Sequence, residues 1–228
     1  MNSEPTQRAL PLERFSLAHA LLLLAGLAGS LRAQTPLLCA ALGCVNFTVL
    51  LGMCRRALTP RGNFGLANAL TALRVLLVGA LASPVGVLSI HGGALLALAI
   101  LLLDGVDGAV ARARGEASAF GAYFDMETDA LFVLIATLRL HLLEGYGAWV
   151  LTAGVLRYAY VLAVRLLPGS GREAPRSLLG RIAFASLAVG LIAGLALPGS
   201  LGSACVLSGT VIVSASFARS FYFSHFSS

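Results

Sequence analysis

The sequence predicts an all-α integral membrane protein with about eight transmembrane helices. Three observations predict it. Of the 228 residues, 58% are hydrophobic and 11% charged, against roughly 45–50% and about 25% in soluble domains. The apolar residues gather into eight runs, each close to the roughly 20 residues a helix needs to cross the hydrocarbon core. The 16 basic residues are all arginine, and most lie between those runs or near their ends. A net charge of +6 distributed in this way suits loops at an anionic membrane surface and not a nucleic-acid face. The composition also excludes a soluble, disordered or collagen-like chain.

The runs follow in order. Residues 15–32 come after a basic lead with Arg8 and Arg14 and have the outline of a signal peptide. Cleavage wants a small residue where Leu31 stands, before Arg32-Ala33, so a retained helix is expected. Gln34-Thr35-Pro36 breaks it from the second run, 36–54. The third and fourth, 66–88 and 92–112, divide near Ser83-Pro84. The fifth and sixth are 120–142 and 146–166, and Pro168-Gly169-Ser170-Gly171 leads to the seventh, 178–197. Pro198-Gly199-Ser200 then turns the chain into the eighth, 201–223. Short connections leave almost all of the chain inside the bilayer. Cys39, Cys44, Cys54 and Cys205 form no CxxC pair and sit in apolar runs, as small hydrophobes and not as a disulfide or zinc framework. Arginines concentrate in the even-numbered loops (Arg55, Arg56 and Arg61; Arg112 and Arg114; Arg165, Arg172, Arg176 and Arg181), so both termini are expected in the cytoplasm.

Six of the ten acidic residues fall between positions 104 and 129. Asp104 and Asp107 are spaced i, i+3 on the fourth span, and Asp125 and Asp129 i, i+4 on the fifth, so each pair shares a helix face. A turn near Glu116 folds the two spans into an antiparallel hairpin, which brings the four carboxylates to matched depths, roughly 5–15 Å inside the cytoplasmic edge at about 1.5 Å per residue. An Asp near mid-span costs about 2.5–3.5 kcal/mol, so four cost on the order of 10 kcal/mol before mutual repulsion. The alternative of an Asp–Arg network that merely pins the two helices needs one such pair and not four Asp, and Arg112 alone cannot offset this cost. Hard divalent cations can, and Mg²⁺ or Mn²⁺, as two ions about 3.5–4 Å apart, suits clustered carboxylate oxygens and phosphoryl chemistry. Gly108, Ala111 and Gly121 keep the same faces narrow, which lets a flat group approach the backbone, although small residues also serve plain helix packing.

The segment Asp104-x-x-Asp107-Gly108-x-x-Ala111-Arg112, eight residues, then Gly121-x-x-x-Asp125-x-x-x-Asp129 resembles the signature of the CDP-alcohol phosphotransferase family, with every fixed position filled. The run Asn68-Ala-Leu-Thr71-Ala-Leu-Arg74 resembles the family's first core helix. The resemblance implies a six-helix catalytic core over residues 60–228, with 1–59 adding a tail and two extra helices of no assigned function. It implies that Asp104, Asp107, Asp125 and Asp129 hold the metal ions, with Asp129 also the general base on the acceptor hydroxyl. Gly108, Ala111, Arg112 and Gly121, with Asn68 and Thr71, are then expected to line the site of the CDP moiety. The implied reaction moves a phosphatidyl group from a CDP-lipid such as CDP-diacylglycerol to a small alcohol and releases CMP. The expected setting is the lipid bilayer of a bacterial inner membrane with a cytoplasmic active site, without nucleic acid. Asp125-Met-Glu-Thr-Asp129-Ala130 matches neither the glycerol-phosphate nor the serine branch, so glycerol 3-phosphate, inositol or its phosphate, serine and choline stay open as acceptors.

Arg157 lies mid-span, where a lone arginine faces the interior or a wet cavity. It is either a ligand of an acceptor phosphate, together with Arg176 and Arg181, or a partner of a carbonyl or carboxylate. Arg139 is expected to snorkel to the outer edge and Arg172 to serve the positive-inside rule. His19, His91, His141 and His225 lack ligand spacing and are expected at the interfaces. Glu127 is expected beside the cavity or turn. Gly190 and Gly194 form a GxxxG that packs either two helices of one chain or a homodimer. A rival of another class is a divalent-cation or proton-coupled transporter, since intramembrane Asp also mark ion paths. Against it, the Asp lie toward one face and no internal repeat is visible.

Overall fold

The computed structural model describes residues 9–55, 58–83, 90–166, 178–197 and 199–226. Within them the chain forms eight α-helices and no strand: α1 (Ala9–Ala33), α2 (Leu37–Cys54), α3 (Leu66–Leu81), α4 (Ile90–Arg114), α5 (Ala119–Leu142), α6 (Leu151–Leu166), α7 (Leu178–Ala196) and α8 (Ser200–Phe226). A 3-10 turn, Ala148–Val150, leads into α6. The all-α membrane architecture is as expected. Helices α1, α2, α4, α7 and α8 are long and apolar enough to cross a membrane, and α3 and α6 are shorter apolar helices.

Helix α5 is the exception, carrying Asp125, Glu127, Asp129 and Arg139. It can afford this charge because it is the central helix, packed against α2, α3, α6 and α7. Every residue from Ala130 to Leu140 on it is buried. Apolar side chains face outward on the surrounding helices instead, among them Leu76, Leu95, Leu102, Val189 and Leu201. On α4, Leu95 and Leu102 lie about half a turn around the helix from Asp104, so lipid contact falls on the faces turned away from the Asp.

Helix α3 is shorter than the expected 66–88, ending at Leu81 before Ser83-Pro84. Proline disfavours helical backbone in the residue before it. The last carbonyls of a helix need donors, and Arg139 supplies them at the end of α3: its Nη1 donates to the carbonyls of Leu81 at 3.2 Å and Ser83 at 3.1 Å. Arg139 also pairs with Glu144 at 3.2 Å. Arg139 is thus buried as a helix cap and does not snorkel. The GxxxG of α7 packs within the chain: a side-chain carbon on Gly190 would lie 2.6 Å from the Cys205 carbonyl oxygen, and one on Gly194 2.5 Å from Val206. The backbone of α8 occupies that face, which removes it from a dimer contact. Cys39 is buried, Cys44, Cys54 and Cys205 are half-buried, and none is in a disulfide.

The α4–α5 turn is built from specific caps. Gly115 has φ +62°, and the Glu116 N–H donates to Ala111 O at 2.9 Å while the Gly115 N–H donates to Arg112 O at 3.4 Å. This is the paired closure that a glycine just past a helix end allows. Ser118 caps α5, its Oγ accepting from the Gly121 N–H at 2.9 Å. The turn also holds α3: Glu116 Oε2 accepts from the Ala67 N–H at 2.9 Å, a carboxylate on a helix N-terminus. Leu58 O accepts from both Asn68 Nδ2 at 3.1 Å and Ser118 Oγ at 2.7 Å. Gly65, which precedes α3, has φ +76° and comes so close that a side-chain carbon would lie 2.8 Å from Glu116 Oε2. The loop before α3, the start of α3 and the α4–α5 turn therefore form one latch.

Donation from Ala67 holds the Glu116 carboxyl below the usual glutamate range. Glu116 is covered by its own loop and the start of α3. A carboxyl lowered on folding contributes stability above its unfolded pKa, and that contribution is lost as pH falls through the folded value. Glu116→Gln should therefore lower the thermal midpoint by a constant amount at neutral pH. The difference from wild type should shrink on acidification below the ordinary glutamate range. A difference that grows toward low pH would contradict this cap.

Candidate active site

Three helices bring the signature residues together. On α3, Asn68, Thr71 and Arg74 recur every third residue, and all three are buried. Thr71 Oγ donates to Asp107 Oδ2 at 3.0 Å and so orients a carboxylate of α4. Arg74 lies one turn further on and is 1% exposed. Its Nη1 pairs with Asp107 at 2.8 Å and Asp125 at 2.6 Å, and its Nη2 with Asp104 at 2.9 Å and also with Asp129. The expected convergence of the four carboxylates holds, and one guanidinium sits among them. The charge is closed on one side and open on the other: the Asp125 and Asp104 side chains are 41% and 28% exposed, Asp107 only 5%.

Arg74 carries no role in the sequence reading beyond the run that opens its helix. A signal exists nonetheless. An arginine eight residues into an apolar span bears the same insertion cost as Arg157, and four carboxylates without a counter-charge call for one.

The carboxylate set also fits a metal. Asp104, Asp107 and Asp125 each offer an oxygen within 4.8 Å of the others, and hard oxygen donors of this kind suit Mg²⁺ or Mn²⁺. Around them, Gly108 and Ala111 share the Asp104 face of α4 and are half-buried, and Arg112 is exposed. A side-chain carbon on Gly108 would lie 3.4 Å from Arg112 Nη1, so this guanidinium folds back along the same face. Gly121 is small for a local reason as well: a side-chain carbon there would lie 3.2 Å from Asn68 Oδ1. Asn68 itself donates to Phe64 O at 2.7 Å and to Leu58 O, which ties down the loop before α3.

The model of the CDP-alcohol phosphatidyltransferase family matches residues 64–218. The chain belongs to this family. Members transfer a substituted phosphate group from a CDP-alcohol, so the protein is a membrane-embedded transferase. The matched segment begins just before α3 and ends within α8, leaving α1 and α2 outside it. The transporter alternative finds no support in this match. No curated protein and no solved structure matches the chain.

The transferase has a second buried polar cluster, which corrects two expectations, those for Glu127 and His19. Glu127 lies about 200° around α5 from both Asp125 and Asp129, opposite the face that carries them. It is 1% exposed and pairs with Arg157 Nη2 at 2.7 Å, so it borders neither the turn nor the Asp-bearing face. Arg157 therefore has a carboxylate partner, behind that face. His19 is fully buried and not interfacial: Asn46 bonds its Nδ1, Phe15 stacks on its ring with centroids 5.5 Å apart, and its Nε2 stands 3.8 Å from Glu127. Burial of this kind follows from α1 and α2 packing onto α6 and α5, long-range contacts that spacing does not encode. Of the other candidates, Arg181 is exposed on α7, while Arg172 and Arg176 lie outside the described residues. His91 is exposed, and His141 Nδ1 bonds the Tyr146 carbonyl at 2.7 Å.

Proposed function

We propose that this transferase moves a phosphatidyl group from CDP-diacylglycerol or a similar CDP-lipid to the hydroxyl of a small alcohol, releasing CMP, at the cytoplasmic face of a bacterial inner membrane. The observation that carries the reading is the convergence of Asp104, Asp107, Asp125 and Asp129 from α4 and α5, backed by Arg74 and Thr71 of α3 and open on the side of Asp125. Asp104, Asp107, Asp125 and Asp129 would hold two Mg²⁺ or Mn²⁺ ions. When bound, these supply charge neutralisation on the diphosphate and stabilise the departing CMP.

The chain's own residues do the rest. The acceptor oxygen forms a bond to the phosphorus that carries the lipid, the bond from that phosphorus to the CMP oxygen breaks, and the hydroxyl proton passes to the Asp129 carboxylate. Thr71 fixes the rotamer of Asp107, and Gly108, Ala111, Arg112 and Gly121 leave a narrow wall for the cytidine and its phosphates. Asn68 holds the loop that closes against them. Arg181 and Arg157 are the described candidates for a phosphorylated acceptor. The Arg excess of the even-numbered loops supports cytoplasmic termini.

The test is CMP release by purified protein given CDP-diacylglycerol, Mn²⁺ and a panel of glycerol 3-phosphate, inositol, inositol phosphate, serine and choline. Release with one acceptor is expected. Folded protein that releases CMP with none of them would overturn the assignment. Asp129→Asn should slow single-turnover chemistry by about 10²–10⁴, the usual range for a general base, with nucleotide affinity largely retained. A near-normal rate would mean that the proton leaves by another route.

A further inference from the structure

Arg74 is shared by all four carboxylates and is the most enclosed group of the site. Each of its terminal nitrogens spans the two helices of the hairpin, Nη1 joining Asp107 to Asp125 and Nη2 joining Asp104 to Asp129. Its position leaves it no solvent to turn into, since it is 1% exposed. A single positive charge against four negative ones leaves the cluster well short of neutrality, so the site remains attractive to dications. The guanidinium therefore does two things at once. It screens the mutual repulsion of the carboxylates, and it places a fixed positive charge beside any cation they bind.

These two effects act on opposite sides of a binding equilibrium. Relief of carboxylate repulsion is worth most when the guanidinium is the main counter-charge and least when dications share the same oxygens. Whatever stabilises the metal-free state more than the loaded one weakens binding by the difference.

We propose that Arg74 is a built-in counter-cation that holds the four Asp together without metal and thereby sets a deliberately moderate affinity for the divalent ions. The role rests on the metal-site reading above. Arg74 is a positioning residue in this role: it acts through the carboxylates and has no assigned contact with substrate. A unit charge and a divalent charge a few ångströms apart interact strongly enough, even at the dielectric of water, for about a tenfold change in affinity.

The experiment measures Mn²⁺ binding, apart from turnover, by the loss of the free-ion electron paramagnetic resonance signal. It uses the full chain in detergent as wild type, Arg74→Gln and Arg74→Lys. Arg74→Gln should bind Mn²⁺ about tenfold more tightly or better, and Arg74→Lys, which keeps the charge, should stay near wild type. In parallel, Arg74→Gln should have a lower thermal midpoint in EDTA but gain more from added Mn²⁺ than wild type does. If Arg74→Gln folds only with metal present, it is purified with Mn²⁺ and its affinity measured by competition with a chelator of known strength. Unchanged or weaker Mn²⁺ binding by Arg74→Gln, with normal binding by wild type, overturns the role given to Arg74. Absence of binding by wild type overturns the metal-site reading itself.

Discussion

Replacing Asp107 by asparagine is expected to abolish turnover, with CMP release falling by about 10³-fold or more. Asp107 is the most buried of the four carboxylates, held by Thr71 at 3.0 Å and Arg74 at 2.8 Å. It contributes one of the three oxygens that lie within 4.8 Å of one another. The amide is nearly isosteric, so the fold should survive. It removes a full negative charge, however, and with Thr71 and Arg74 both bonded to Oδ2 it puts an NH2 donor in place of Oδ1. Loss of a single preorganised electrostatic contact costs about 10²–10³ in rate, and loss of a hard anionic ligand adds to that. Asp104→Asn and Asp125→Asn should behave alike. In wild type, chelation should remove activity and Mg²⁺ or Mn²⁺ restore it. Full activity in EDTA, with elemental analysis showing no retained metal, would sink the metal proposal.

The second large effect is on stability and lies behind the catalytic face. Glu127→Leu should destabilise the protein by about 3–5 kcal/mol, the usual consequence of removing one partner of a buried ion pair. The variant leaves Arg157, whose side chain is 20% exposed, without its carboxylate, and takes away the neighbour of His19 at 3.8 Å. Glu127→Leu combined with Arg157→Leu should recover much of the loss, because the desolvation of both charges disappears with them. Thermal unfolding in detergent of the single and double variants closes the cycle. The same set decides between the two readings of Arg157. A structural partner implies that Arg157→Gln lowers the midpoint and leaves the acceptor KM near wild type. An acceptor ligand implies the reverse, a raised acceptor KM at unchanged stability.

The cluster explains how two helices outside the family-matched segment join the catalytic unit. Helix α1 brings His19 near Glu127 of α5, two positions from each of its Asp, and α2 brings Asn46 onto His19. The same buried contacts that secure α1 and α2 thus back the helix that carries half of the carboxylates.

Much of this was legible in the sequence for a definite physical reason. A helix repeats every 3.6 residues, so i, i+3 and i, i+4 spacing alone places Asp104 with Asp107 and Asp125 with Asp129, and a short turn forces the two pairs to face. The cost of charge in lipid then makes those acids conspicuous, and the length of each apolar run marks the spans. Those forces are local or depend only on the bilayer, and one chain records them. The tertiary structure decided what depends on which helices meet. It put Arg74 of α3 among the four Asp and turned Arg139 into the cap of α3. It buried His19 and paired Glu127 with Arg157 on the far face of α5, and it spent the Gly190–Gly194 stripe on α8. In each case a charge or a bare backbone patch found its partner many residues away, and the spacing within one helix carries no record of the helix that will pack against it.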